Sequence, residues 1–223
     1  MAYTDVIFDL DDTLINTTDQ LIPIAMEILK DVMLSYEISI TTDELLQLRK
    51  EFYNRNPRDS FNTHLVNTFF NLDEKSEVLK KLHEAFYNIP LPEPLMLTPN
   101  AEDVLKNLQQ DLHLVTSGSY VTQEKKIKLS KLDRYFLSWQ CASDEKSLSK
   151  SDIFKNIIQN KDPKSFLVIG NRIDNEIKAA NQLKIDSCWY MFGEYKNLSP
   201  LNELENPKYQ IESLKQVLSI CQQ

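Results

Sequence analysis

The chain has 223 residues, 42% of them hydrophobic, with 25 basic and 33 acidic side chains and a formal charge of −8. That length fits one large α/β domain, or a core domain carrying a smaller insertion. The acidic balance argues against a nucleic-acid backbone or an anionic membrane as the main partner, since either calls for a basic face.

Val6, Ile7 and Phe8 form a short apolar run of the kind buried on both faces of a sheet. It starts so early that no room is left for a signal peptide, and no apolar stretch approaches the ~20 residues needed to span a bilayer. Cys141, Cys188 and Cys221 are widely spaced without metal-ligand pairing, which fits a reducing compartment. A cytoplasmic protein is expected.

Beyond Leu14 the period turns helical. Leu21, Ile22, Ala25, Ile28, Leu29, Val32 and Met33 recur at three- and four-residue steps, with Asp19 as the expected cap and Pro23 acceptable in a first turn. Thr41 and Glu44 have capping-box spacing ahead of Leu45, Leu48 and Phe52. Further helices are predicted over 61–70 and 74–87, and the prolines within 89–94 break helix. Residues 16–92 therefore read as a helical block inserted between 1–15 and 93–223. Arg49, Arg55, Arg58 and His64 within it read as a solvated helical face.

From Asn100, the expected cap of a helix carrying Val104, Leu105 and Leu108, helix and strand alternate. Residues 112–115 are strand-like and run into Thr116-Ser117-Gly118. A helix around Lys125, Ile127 and Leu129 follows, then a strand near 135–139 and a helix over 151–158. Residues 166–169 form a second buried strand ending at Gly170, followed by a helix over 176–183, a strand over 188–191 and a helix over 212–220. The alternation predicts an α/β fold with a doubly wound, mostly parallel sheet. Trp139 and Trp189 read as core or near-core aromatics.

In open α/β sheets ligands bind outside the carboxyl ends of the strands. Three polar clusters fall there: Asp9 to Thr13, Thr116 to Gly118, and Gly170 to Glu176. Two carboxylates one residue apart can divide the labour of phosphoryl transfer. Asp9 can attack phosphorus and form an aspartyl-phosphate, while Asp11 protonates the leaving oxygen and later takes a proton from water. A Mg²⁺ ion then relieves repulsion between an anionic nucleophile and an anionic phosphate.

Phe8-Asp9-Leu10-Asp11-Asp12-Thr13-Leu14 resembles the first motif of the haloacid dehalogenase-like hydrolase superfamily, and the likeness extends over essentially the whole chain. It implies that 1–15 and 93–223 form the family's Rossmann-like core and 16–92 its inserted α-helical cap. Asp9 then matches the nucleophile and Asp11 the acid/base, a residue that the family's dehalogenases lack. Leu114 to Gly118 is similar to the second motif, with the Thr116 hydroxyl and Ser117 amide on phosphate oxygens and Gly118 allowing close approach. The third motif requires a lysine. Lys150 is assigned to it, with Lys146 as rival because the family's usual Lys-Pro pair is absent.

The fourth motif is normally Gly-Asp followed by further acids. Here Gly170-Asn171 replaces it, so Asn171 keeps an oxygen ligand but loses the charge. Asp9, Asp11 and Asn171 are the implied metal ligands, and Asp174 and Glu176 are candidates for holding metal-bound water. The implied function is a Mg²⁺-dependent phosphatase for a small phosphorylated metabolite. The alternatives are a phosphomutase and, on the strength of Asn171 alone, a phosphate-binding protein that has lost turnover. The substrate's identity and the oligomeric state are not encoded in any motif.

Overall fold

Strand formation follows the buried apolar runs. The structure, a computed structural model, describes residues 3–71, 73–143 and 148–222. Among them six strands form one sheet: β1 (Asp5–Phe8), β2 (Asp111–Ser117), β3 (Ser138–Ala142), β4 (Phe166–Gly170), β5 (Asp186–Tyr190) and β6 (Tyr209–Ile211). The order is β3-β2-β1-β4-β5-β6 and every pairing is parallel, so the sheet is wholly rather than mostly parallel. β1, β4 and β5 are buried along their whole length, as central parallel strands must be. Phe8 lies opposite Leu114 on one side and Ile169 on the other, so β1, β2 and β4 end at the same edge. The winding reverses between β1 and β4, which makes their ends the topological switch point. The short edge strand β6 has no counterpart in the sequence reading. β3 starts three residues later than expected, because Leu132–Tyr135 forms a 3-10 turn.

The chain divides into two compact units, one of Met1–Asn16 with Glu93–Gln223 and one of Thr17–Pro92. Among the described residues the second is built of helices: α1 (Thr17–Leu34), α2 (Thr42–Arg55), α3 (Phe61–Phe69) and α4 (Lys75–Tyr87). Met26, Leu29, Leu45, Phe61, Leu65, Val78 and Leu82 are buried in its own core. Helix α1 starts before Asp19, which puts Pro23 in the second turn, where its missing N–H forfeits a helical bond. The capping box of α2 forms as its spacing predicts: Thr41 N–H donates to Glu44 Oε2 (2.7 Å) and Glu44 N–H to Thr41 Oγ1 (3.2 Å). Arg49 departs from the expectation of a solvated face. It is buried, with Cζ 4.7, 5.3 and 5.5 Å from the ring centroids of Tyr53, Phe61 and Phe86. A planar, weakly hydrated guanidinium is the one cation suited to such an aromatic setting. His64 stacks on Phe52 at 4.7 Å, and Arg55 is exposed.

Among the described residues five helices flank the sheet: α5 (Ala101–Asn107), α6 (Tyr120–Leu129), α7 (Lys150–Ile158), α8 (Lys178–Gln182) and α9 (Gln216–Cys221). Asn100 does not cap α5 through its side chain, because its backbone is left-handed (φ 65°) rather than extended. Helix α7 begins one residue early, where Ser149 and Asp152 form a capping box. Ile173–Ile177 is a π-helical turn that delays α8 to Lys178, and α9 starts late because Gln216 Oε1 accepts the Glu212 and Ser213 amides. All three cysteines are free and buried. Among the described residues no helix is long and apolar enough to cross a membrane.

Candidate active site

The chain leaves β1 at Asp9, whose N–H still donates to Ile169 O (2.9 Å) and so holds the turn against β4. The turn then closes on one carbonyl: Leu10 O accepts the amides of Thr13 (3.3 Å), Leu14 (2.9 Å) and Ile15 (3.0 Å). Asp12 takes the left-handed conformation (φ 54°) that this closure needs and that short acidic side chains tolerate. Thr13 is buried, and its hydroxyl donates to Asp9 Oδ2 (3.2 Å).

Asp9 is buried, and Lys150, the first residue of α7, places Nζ 2.6 Å from Asp9 Oδ1. The same ammonium contacts Glu176 Oε1. Burial pushes the Asp9 carboxyl up to about 7; Lys150 opposes this, and Glu176 and Asp11 add to it. Lys150 is held above the ordinary lysine value: burial works against its charge, but Asp9 and Glu176 outweigh burial. Glu176 Oε2 in turn accepts the Arg172 amide (3.0 Å), which anchors the far side of this ion pair to the loop after β4.

Asp11 points to a different set of partners. Its Oδ1 accepts from Lys126 Nζ (2.7 Å) and its Oδ2 from Gln123 Nε2 (2.8 Å), both on α6. Gln123 Nε2 also lies 2.8 Å from Thr116 Oγ1 and 2.7 Å from Ser117 O. Thr116 is buried at the end of β2 and keeps its own hydroxyl proton for donation. Gly118 has φ 120°, a conformation few other residues adopt, and its amide is taken by Ala142 O (3.1 Å).

Asn171 is buried at the end of β4, and its carbonyl accepts from Trp189 Nε1 (2.9 Å). Asp174 is held elsewhere by a two-pronged contact from Arg172, Nε to Oδ1 at 3.1 Å and Nη2 to Oδ2 at 2.9 Å, and Arg172 lies over the Tyr195 ring at 4.4 Å.

Residues 6–190 match the haloacid dehalogenase-like hydrolase family. The chain belongs to that family. It is similar to a glyceraldehyde 3-phosphate phosphatase of Pyrococcus furiosus, 25% identical over 97% of this chain and 92% of the relative. Among solved structures, the magnesium-bound HAD-hydrolase YfnB of Bacillus subtilis superposes with a TM-score of 0.72 at 20% identity, over 99% of both chains. A predicted phosphoglycolate phosphatase of Haemophilus somnus superposes with a TM-score of 0.74 at 16% identity, over 98% of this chain and 97% of its own. At those identities the two structures establish the fold.

In this hydrolase the sheet edge gathers Asp9, Lys150 and Glu176 into one contact group, and Asp11, Thr116 and Ser117 into a second joined by Gln123. Arg172 grips both oxygens of Asp174. Lys146 lies outside the described residues. Among the described residues no three or more His, Cys, Asp or Glu side chains are grouped to hold a metal. The donors nonetheless suit Mg²⁺, which binds through one or two protein oxygens and keeps several waters. Asp9 Oδ2 has just one hydrogen bond among the described residues, the long one from Thr13, and Asn171 adds a neutral carboxamide oxygen. Across the two groups three carboxylates (Asp9, Asp11, Glu176) pair with two lysines (Lys150, Lys126), which leaves an excess of negative charge.

Trp189 is buried, as expected of a core aromatic; Gln123 and Lys126 are contacts that the sequence reading does not assign. Their signal is weak: Gln123 and Lys126 lie one turn apart on a helix immediately after Thr116-Ser117-Gly118, a spacing that turns both toward the same side.

Proposed function

We propose that this hydrolase is a Mg²⁺-dependent phosphatase for a small phosphorylated metabolite, with Asp9 as nucleophile and Asp11 as general acid/base. The observation that carries the reading is the separation of the two carboxylates: Asp9 sits buried against Lys150, and Asp11, two residues on, turns to α6. A carboxylate fixed beside an ammonium can attack phosphorus, while the second is kept apart for proton transfer.

In the first step Asp9 attacks phosphorus and the bond to the leaving oxygen breaks, with Asp11 giving that oxygen a proton. In the second, Asp11 takes a proton from water, the water oxygen attacks phosphorus, and the bond to Asp9 breaks to release phosphate. Lys150 balances charge on Asp9 and the phosphoryl oxygens, and the Thr116 hydroxyl with the amides of Leu10, Asp11 and Ser117 takes those oxygens. Asp9 and Asn171 would hold Mg²⁺. Asp11 would add its backbone carbonyl, because its carboxylate is engaged by Gln123 and Lys126. When bound, the ion supplies positive charge against the phosphate. Residues 16–92 are assigned the family cap's role of selecting the substrate.

The glyceraldehyde 3-phosphate phosphatase among the relatives supports a substrate of about three carbons carrying one phosphate. The test is phosphate release from a panel of glyceraldehyde 3-phosphate, phosphoglycolate, hexose phosphates and nucleotides, with Mg²⁺ or with EDTA. The reading expects Mg²⁺-dependent release strongest for the small acids and sugars. Release that EDTA leaves unchanged, or an isomerised phosphosugar in place of free phosphate, would contradict it.

A further inference from the structure

Resting on the reading of Asp11 as proton donor, we infer that Lys126 and Gln123 are positioning residues: together they set the direction of the Asp11 carboxylate. The observations are all within the α/β unit. Both residues are buried on α6, one helical turn apart, and each takes a different oxygen of Asp11: Lys126 Nζ to Oδ1 at 2.7 Å and Gln123 Nε2 to Oδ2 at 2.8 Å. A carboxylate gripped at both oxygens from one helix loses its freedom to rotate.

Gln123 is the more telling of the two. Its amide nitrogen faces three acceptors, Asp11 Oδ2, Thr116 Oγ1 and Ser117 O, while its own Oε1 is buried without a hydrogen-bond partner. Among the described residues no other buried side-chain oxygen or nitrogen is left so. Flipping the amide would aim Oε1 at a carboxylate and a carbonyl, both acceptors only, so the observed orientation is the one the chemistry selects. A buried orphan oxygen is costly. It is retained where the nitrogen's contacts matter, and here they tie the acid/base to the phosphate-facing end of β2. Lys126 supplies a charge-assisted bond and neutralises Asp11 in a site already rich in carboxylates.

Positioning of a proton donor has a signature that phosphate binding or general folding lacks: it matters in proportion to how much the leaving group needs a proton. The experiment compares an alkyl phosphate, glycerol 1-phosphate, with p-nitrophenyl phosphate, whose leaving group departs unprotonated. The enzymes are wild type, Lys126→Met, Lys126→Arg, Gln123→Met and Asp11→Asn, each checked for folding by urea denaturation. The rate compared is that of leaving-group release in a single turnover, because the later attack of water also uses Asp11 and is common to both substrates. We expect Lys126→Met and Gln123→Met to lower it for glycerol 1-phosphate by about 10- to 100-fold, within the range of a general acid's contribution, and for p-nitrophenyl phosphate by less than about 3-fold. Lys126→Arg should restore part of the loss, since it keeps the charge and a donor.

Equal slowing of leaving-group release from both substrates by Lys126→Met would overturn the inference and make Lys126 a phosphate-binding or purely structural group. The Asp11→Asn enzyme separates the two levels. If it discriminates between the substrates and the α6 variants do not, the positioning role alone fails. If Asp11→Asn itself slows leaving-group release from both substrates equally, the proton-donor reading fails and the inference falls with it.

Discussion

Gly170 and Glu176 meet so closely that a Cβ on the glycine would lie 2.6 Å from Glu176 Cγ and 2.8 Å from its Cβ. Glycine at the end of β4 is therefore what lets Glu176 lie back across the strand and reach Lys150. Gly170→Ala should displace the π-helical turn and cost about 1–3 kcal/mol, the usual penalty for forcing atoms into a packed site. Activity should fall with it, because the Lys150–Glu176 contact moves. Urea midpoints and kcat check both; an alanine variant with wild-type kcat would show that Glu176 need not sit where it does.

Lys150 is a buried cation between two buried carboxylates. Lys150→Ala leaves them facing each other, so we expect a loss of about 3–5 kcal/mol of stability, typical of breaking a buried pair by removing one partner. The loss of activity should be at least ~10²-fold, as for removal of a preorganised group at a transition state. Lys146→Ala should stay close to wild type. Steady-state assays of the two variants decide between the lysines, and the reverse ranking would reassign the role.

The proposed metal site makes a prediction in two halves. Asn171→Asp adds a charged oxygen where the native residue offers a neutral one, and hard cations favour the former. It should lower the Mg²⁺ concentration for half-maximal activity. Asp174→Asn should leave that concentration unchanged, because Arg172 already engages both Asp174 oxygens. Magnesium titrations of wild type and both variants test this, and a raised requirement in Asp174→Asn would make Asp174 a contributor after all.

The opposite end of the sheet carries the acid limb of the pH dependence of folding. Asp5, at the start of β1, is buried; burial alone would raise its carboxyl, but Lys161, Thr4 and His113 hold it below the ordinary value of 3.8. Asp186, at the start of β5, is likewise depressed: burial is outweighed by Lys164, Lys208 and Tyr3. A depressed folded-state value means stability that is fully present above the unfolded-state value and lost as pH falls through the folded one. Wild type should therefore lose stability steeply below about pH 4, taking the unfolded aspartate value as reference. Asp5→Asn should be less stable at pH 7 and show a shallower acid limb. Urea unfolding from pH 7 to 3 measures it, and equal slopes would exclude Asp5 as a source.

The strand-end acids are legible in the sequence because their placement is local: a buried apolar run followed at once by Asp9 and Asp11 defines a strand and the side on which it ends. The alternating pattern after Asn100 likewise exposes a parallel sheet, since each buried run is short and each is followed by a helix. Gln123 and Lys126 are not legible in that way. They become neighbours of Asp11 only when α6 packs beside the end of β2, more than a hundred residues from β1 in the chain. Arg49 is similar, because its burial depends on Phe61 and Phe86 arriving from α3 and α4. The tie between Arg172 and Asp174 is local but hidden by a π-helical turn that no propensity announces.

The central claim is that Asp9 carries the phosphoryl group. Asp11→Asn enzyme, slowed in releasing phosphate from the intermediate, is mixed with p-nitrophenyl phosphate and Mg²⁺, quenched in acid and reduced with borohydride, which converts an acyl phosphate on aspartate to homoserine. Peptide mass mapping then reads where reduction has occurred. Reduction is expected at Asp9 and nowhere else, and none in an Asp9→Asn, Asp11→Asn double variant. Reduction at another residue, or full turnover by Asp9→Asn with contaminating phosphatase excluded, would contradict it.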